Sequence, residues 1–198
     1  MARIGQPCDV LKDEAAVDKC RVVTRAAHQA LRNNHDAAAI SLLEQGADPN
    51  QVNKYDGETL FMKAVRGNHI AFLELLLDKY RVDANGDAAV GFMALHDAVI
   101  FGKEDGVECL KLLLEHDADP NKVNEDEDTA LHFAVLYGVK KAIKLLLEHG
   151  ADPNLVNEDG NTPLTVAAEN DLDVDMKGVR ELLLKHGAKD PEEVNEDG

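Results

Sequence analysis

The chain has no tryptophan, three tyrosines and five phenylalanines among its 198 residues. Large aromatic anchors therefore cannot dominate its core, and the apolar content that folding needs is carried by leucine and alanine. That composition suits helix pairs packed at close range, where small side chains let backbones approach. No apolar run approaches the roughly 20 residues that a membrane-spanning helix needs, and the opening Met1-Ala2-Arg3-Ile4-Gly5-Gln6 lacks the apolar stretch of a signal peptide. No membrane association is expected. Cysteine is scarce: Cys8, Cys20 and Cys109 are odd in number and follow neither metal nor disulfide spacing. Reduced thiols in a cytosol-like compartment are the expectation, and with them a cytoplasmic location. Basic residues are also short, 21 Lys and Arg against 38 Asp and Glu, for a formal net charge of -17. That balance argues against nucleic acid or an anionic membrane as the primary partner. A protein with a basic surface fits the charge, as does simple solubility.

What the chain does have is repetition. Ala47-Asp48-Pro49-Asn50, Val82-Asp83-Ala84-Asn85, Ala118-Asp119-Pro120-Asn121 and Ala151-Asp152-Pro153-Asn154 each follow a Leu-rich segment, with a worn copy at Ala188-Lys189-Asp190-Pro191. A period of about 33 residues is the mark of stacked two-helix repeats, in which no single compact core forms and function lies on a surface. Between these phrases stands a second pattern, Gly160-Asn161-Thr162-Pro163-Leu164-Thr165-Val166-Ala167-Ala168 and Asp128-Thr129-Ala130-Leu131-His132-Phe133-Ala134-Val135. Thr before Pro-Leu or Ala-Leu predicts a helix start: the hydroxyl can cap free amides, and Pro is tolerated where its missing N–H would be unpaired anyway. A short helix ending near Gly138 follows, then a second through Ala142-Ile143-Lys144-Leu145-Leu146-Leu147-Glu148-His149 to Gly150, a residue suited to the left-handed turn after a helix. Asp-Pro-Asn then turns the chain.

Taken together these residues resemble the ankyrin repeat, whose motif runs roughly Gly-x-Thr-Pro-Leu-His-x-Ala-Ala, a Leu-Leu pair, then Gly-Ala-Asp-x-Asn. The resemblance implies an all-α, ankyrin-repeat solenoid of about five stacked helix-turn-helix units joined by hairpin-like loops. The expected organisation is a single domain over 1–198, with a capping segment at 1–19 and repeats at 20–53, 54–87, 88–123, 124–156 and 157–193. Residues 194–198 repeat Val156-Asn157-Glu158-Asp159-Gly160 letter for letter, so another unit would begin there. Either a longer parent was cut or a duplication was left incomplete. The first copy has lost its Thr-Pro start, as a terminal cap can, and Asp9 to Asp18 is expected to add a helical turn or two beside it. Extra residues are expected near Tyr80-Arg81, around Lys103-Glu104-Asp105 and around Asp171-Leu172-Asp173-Val174, where the chain can loop outward.

The eight histidines invite a metal or catalytic reading, but the repeat register places every one. His96 and His132 take the Thr-Pro-Leu-His position, where the resemblance implies an imidazole bonding to neighbouring backbone and Thr, and His28 shares that register. His116, His149 and His186 close second helices, where a donor suits the exposed carbonyls; His35 and His69 open them. The carboxylates are dispersed in loops, and no Ser-His-Asp, Cys-His or Gly-rich phosphate motif is present, so no catalytic residue, metal or cofactor is expected. The Leu triplets Leu75-Leu76-Leu77, Leu112-Leu113-Leu114, Leu145-Leu146-Leu147 and Leu182-Leu183-Leu184 read as inter-repeat core.

In stacks of this kind, hairpin tips and first-helix ends line one concave face. The partner-binding residues expected there are Tyr55, Val90, Phe92, Ile100, Phe101, Leu136 and Tyr137 as an apolar and aromatic patch, flanked by Glu125, Asp126, Asp128, Glu158 and Asp159. Exposed aromatics ringed by polar groups have the composition of a binding hot spot, and the acidic tips would attract a basic edge. The expected function is a non-catalytic protein-protein interaction module, monomeric, acting as adaptor, scaffold or stoichiometric inhibitor. The alternative is an ankyrin fragment of a larger enzyme or effector whose catalytic part lies outside this chain.

Overall fold

The computed structural model describes residues 8, 11, 13–86, 93–102, 107–169 and 176–189. The readings that fall on Val90, Phe92, Lys103 to Asp105, Asp171 to Val174 and the last five residues lie outside these. Ten α-helices occur among the described residues, and the only bridge of extended chain is an isolated antiparallel pairing of Val123 with Thr129. The fold is all-α, as the repeat pattern predicts. Two compact units divide the chain, Met1–Gly86 and Asp87–Gly198.

The first unit holds α1 (Glu14–Arg32), α2 (Asp36–Glu44), α3 (Leu60–Arg66) and α4 (Ile70–Asp78). Helix α1 packs on α2 and α3, and α2 on α4. Its N-cap is Asp13, whose carboxylate accepts from the Ala15 N–H at 3.2 Å. Helix α1 runs unbroken through the end of that segment, because neither Gly nor Pro interrupts Glu14 to Arg32. At the start of α3 the Thr59 hydroxyl accepts from the Met62 N–H at 3.2 Å, the capping that a Thr in this position predicts. His69 is the N-cap residue of α4 without a side-chain cap bond, and its Nδ1 lies 2.7 Å from Asp36 Oδ1 on α2.

The second unit holds α5 (Ala94–Gly102), α6 (Val107–Glu115), α7 (Ala130–Leu136), α8 (Lys140–Glu148), α9 (Pro163–Glu169) and α10 (Met176–Lys185). First helices pack in the row α5, α7, α9, and second helices in the row α6, α8, α10. Within the Leu triplets the middle residue is always buried: Leu76, Leu113, Leu146 and Leu183 are all fully enclosed. The first Leu of each triplet is half-buried, and in the last copy Leu184 is exposed. The interior stripe is therefore narrower than three consecutive leucines suggest, as a helix that shows one face to its neighbours requires.

The loops are held by asparagines. Asn121 donates its side-chain amide to the Gly150 carbonyl at 3.1 Å and accepts from the Asp152 N–H at 2.7 Å. Asn154 repeats this one module later, to the Gly187 carbonyl at 3.0 Å and from the Lys189 N–H at 2.8 Å. These two Asp-x-Asn phrases thus close their own turns through the aspartate and reach the next module through the asparagine, whereas Asn85 turns its side-chain amide back on Asp83 at 3.0 Å.

Backbone conformation explains the extra residue in the second copy. Gly150 has φ +87°, as a helix C-terminal glycine should, but the corresponding turn after α4 places Arg81 at φ +53°. A left-handed conformation costs a residue with a Cβ about 1–2 kcal/mol. Arg81→Gly is expected to raise unfolding stability by about 0.5–1 kcal/mol, since the greater chain entropy of glycine offsets part of the relief. A urea midpoint unchanged or lowered would contradict this.

One expectation about cysteine is corrected. Cys8 and Cys20 form a disulfide, with their Cα atoms 5.7 Å apart. Cys8 N–H donates to Asp48 at 2.9 Å, Asp48 N–H donates to the Thr24 hydroxyl at 2.8 Å, and that hydroxyl donates to the Cys20 carbonyl at 2.8 Å. A bridge over twelve positions between a preceding segment and a helix is set by tertiary geometry, which spacing does not disclose. The cysteines accordingly give no support to a reducing compartment. Cys109 is in no disulfide, and burial pushes its thiol up to about 12, so it stays protonated and unreactive.

Candidate functional site

In the second unit, α5 and α7 bring their C-terminal ends side by side. Ile100 and Phe101 on α5 correspond in register to Leu136 and Tyr137 at the end of α7. Phe101 is 49% exposed, Leu136 37% and Tyr137 52%, whereas Ile100 is half-buried. Three of the predicted apolar residues therefore face solvent on neighbouring helices. The fourth packs partly inward. Tyr55, 70% exposed, belongs to the first unit.

Phe133 was not among the expected residues, yet it links this surface to the core. Its ring stacks on Tyr137 at 6.3 Å and meets the edge of His96 at 5.6 Å. The sequence signal was the spacing Phe133 to Tyr137, one helical turn, which places both on one face. In the repeat motif Phe133 occupies the variable position after His, which hid it.

Beneath the surface the imidazoles hold successive modules together. The Thr129 N–H donates to His132 Nδ1 at 3.1 Å, which leaves the proton on Nε2, and that nitrogen donates to the Asn161 carbonyl at 3.0 Å. His96 Nε2 donates in the same way to the Asp128 carbonyl at 2.8 Å. Burial lowers the pKa of both rings, against the opposing pull of these carbonyls and of Asp128. His28 shares the register but not that partner: its ring is buried, and the backbone of Gln51 is the group that engages it. His149 and His186 each donate Nδ1–H to the carbonyl four residues back, at 2.8 and 2.9 Å.

The acidic tips form two groups. Glu125, Asp126, Glu158 and Asp159 are exposed, and the Glu158 N–H donates to the Asp126 carbonyl at 3.0 Å, so the tips of these two loops adjoin. Asp128 is half-buried, and its carboxylate accepts from the Asn157 side chain at 2.9 Å. That carboxylate is engaged in the loop framework. Among the described residues, no cluster of three or more His, Cys, Asp or Glu is arranged to hold a metal ion, and no helix is long and apolar enough to cross a membrane.

The family model of ankyrin repeats in three copies matches residues 27–123 and 103–195. The chain belongs to the ankyrin repeat family. Ankyrin repeats generally serve as protein-protein interaction modules, and proteins built from them are typically non-catalytic. Among relatives, this ankyrin repeat chain is 33% identical over 112 residues to the human SH3 and multiple ankyrin repeat domains protein 2, a match covering 57% of this chain and 6% of that protein. It is 37% identical over 109 residues to the putative ankyrin repeat protein FPV031 of Fowlpox virus (strain NVSL), covering 54% of this chain and 31% of the relative. The match thus spans less than a third of either relative's length.

Proposed function

We propose that the second ankyrin unit binds a protein partner across the exposed ends of α5 and α7, acting as an adaptor, scaffold or stoichiometric inhibitor. The observation that carries this reading is the exposure of Phe101, Leu136 and Tyr137 on neighbouring helices. A stacked-repeat fold can bury its leucines without leaving such rings in water, and the few residues that carry most of the affinity in protein interfaces are enriched in aromatics such as Tyr. Phe133 stacks on Tyr137, a contact that restrains this ring before a partner arrives and so lowers the entropy cost of docking it. Glu125, Asp126, Glu158 and Asp159 add negative charge to the same unit and favour a partner with a basic edge. Asp128 contributes through loop geometry.

The test is affinity capture from the source cells with wild type and a Phe101→Ala, Tyr137→Ala double variant. Both substitutions are at exposed rings, so circular dichroism and the urea midpoint should hold. Captured partners should fall at least about tenfold, since loss of interface aromatics costs about 2 kcal/mol or more. Equal capture by the two proteins would exclude this surface.

A further inference from the structure

The two units treat the same hairpin carboxylates in opposite ways. Aligning the N-cap residues Thr59 and Thr129 sets Asp56 against Asp126 and Glu58 against Asp128. In the first unit both carboxylates are neutralised by first helices. Asp56 lies 2.8 Å from Lys63 on α3 and 2.8 Å from Arg32 on α1, and Glu58 contacts Lys63 and lies 2.7 Å from Arg66. The same alignment sets Phe133 in the place of Lys63 and Leu136 in the place of Arg66. Ile100 stands for Arg32, because it follows His96 by the interval at which Arg32 follows His28. Every position that gives the first hairpin a cation is therefore apolar in the second unit. Among the described residues, no lysine or arginine pairs with Asp126 or Asp128.

Exposure follows the same correspondence. Asp56 and Asp126 are exposed, while Glu58, Asp128, Lys63 and Phe133 are half-buried. The exchange of cation for apolar side chain thus alters the chemistry of the place and not its burial. Its borders are held in position. The Asn157 amide bonds one oxygen of the Asp128 carboxylate at 2.9 Å, and the Phe133 ring is set between the edge of His96 and the stacked ring of Tyr137. Groups fixed in advance lose little freedom when a partner docks.

We propose that the protein partner of the α5 and α7 surface supplies an arginine side chain that stands in for the missing cations. Its guanidinium bonds Asp126 and the second oxygen of Asp128, its plane lies against Phe133 and Tyr137, and an aliphatic neighbour in the partner covers Leu136. The first unit is the internal template, since there one Lys63 ammonium reaches both hairpin carboxylates. Arginine fits better than lysine because its planar fork can bond a carboxylate through two N–H groups while its flat face rests on an aromatic ring. A basic protein segment fits better than a free cation because the carboxylates stand on the same unit as exposed Leu136 and Phe101. This assignment rests on the reading of the α5 and α7 surface and names the chemistry of its partner.

Fluorescence anisotropy on the full chain, with a labelled pentapeptide alternating leucine and arginine, tests it. Wild type should bind this peptide, bind the counterpart with uncharged citrulline for arginine at least about tenfold more weakly, and bind the lysine counterpart about threefold more weakly. Asp126→Asn with Asp128→Asn should weaken the arginine peptide at least about tenfold. Glu44→Gln with Glu74→Gln removes the same charge from the first unit and should leave binding unchanged. Phe133→Lys with Leu136→Arg restores the first unit's cations in place; it should keep the wild-type circular dichroism and urea midpoint and also lose the peptide at least about tenfold. Equal binding of the citrulline or lysine peptide, a comparable loss with the first-unit control, or full binding by the cation-restored variant would each overturn the proposal. Equal binding of the citrulline peptide, with Phe101→Ala, Tyr137→Ala still losing its captured partners, would remove the arginine and leave the aromatic surface standing.

Discussion

Leu146→Ala should lower the unfolding free energy by about 2–5 kcal/mol, whereas Leu145→Ala, one residue away in the same triplet, should cost only about 1 kcal/mol. Leu146 on α8 is fully enclosed, while Leu145 is half-buried. Removing a fully enclosed side chain forfeits its transfer energy and leaves a cavity that the surrounding helices fill only in part. Each module of a repeat stack is stabilised by its neighbours, and α8 packs on both α6 and α10. The loss at Leu146 should therefore spread through the second unit, visible as a lower urea midpoint and faster amide exchange in α6 and α10 together with α8. Binding should fall only as far as folding does. Comparable costs at the two positions would mean that the triplet lies in a differently oriented helix and that the packing described for this unit is wrong.

The contrast between Leu145 and Leu146 marks how far residue patterns reach. The Leu triplets, the Thr129 and His132 pair and the glycine at position 150 were legible because each follows from local geometry: a helix period, a cap, a left-handed turn. Arg81 was not, since a charged residue gives no sign that its backbone will turn left-handed, and only the extra residue beside it hinted at a distortion. Cys8 and Cys20 were misread because their pairing depends on how the preceding segment folds against α1. At the candidate site, Phe101, Leu136 and Tyr137 were legible as apolar residues in places where the repeat exposes them. Phe133 was hidden by its variable position, and the half-burial of Ile100 by packing that the register does not specify. Asp128 looked like any other acidic tip residue, although its carboxylate is bonded to Asn157 from the next loop.

Stability should fall as pH drops below about 6.5, well before the carboxylates titrate. His28, His96 and His132 are buried, and burial lowers the pKa of each from its ordinary value of 6.5. Well above pH 6.5 all three are neutral in both folded and unfolded chains, and the full stability is present. As pH falls through 6.5 the unfolded chain takes up protons that the folded chain refuses. The unfolded state then binds more protons, so stability decreases with acidification until the lowered folded values are reached. Each imidazole contributes at most about 1.4 kcal/mol per pH unit in that window. Glu58 and Asp56 act later. Burial disfavours their ionisation, but the bonds to Lys63 and to Arg66 or Arg32 outweigh it and hold both carboxyls below their ordinary values of 4.5 and 3.8. Their contribution is complete above those values and is lost as pH falls through the lower folded ones. Urea denaturation between pH 8 and 2 should therefore show a decline starting near 6.5 and a second that begins only below about 4.5. His132→Gln should remove one imidazole's share of the first decline and leave the second in place. A stability that is flat from pH 7.5 to 5 would mean that these rings accept protons in the folded chain, and that the hydrogen bonds joining successive modules do not depend on neutral imidazole.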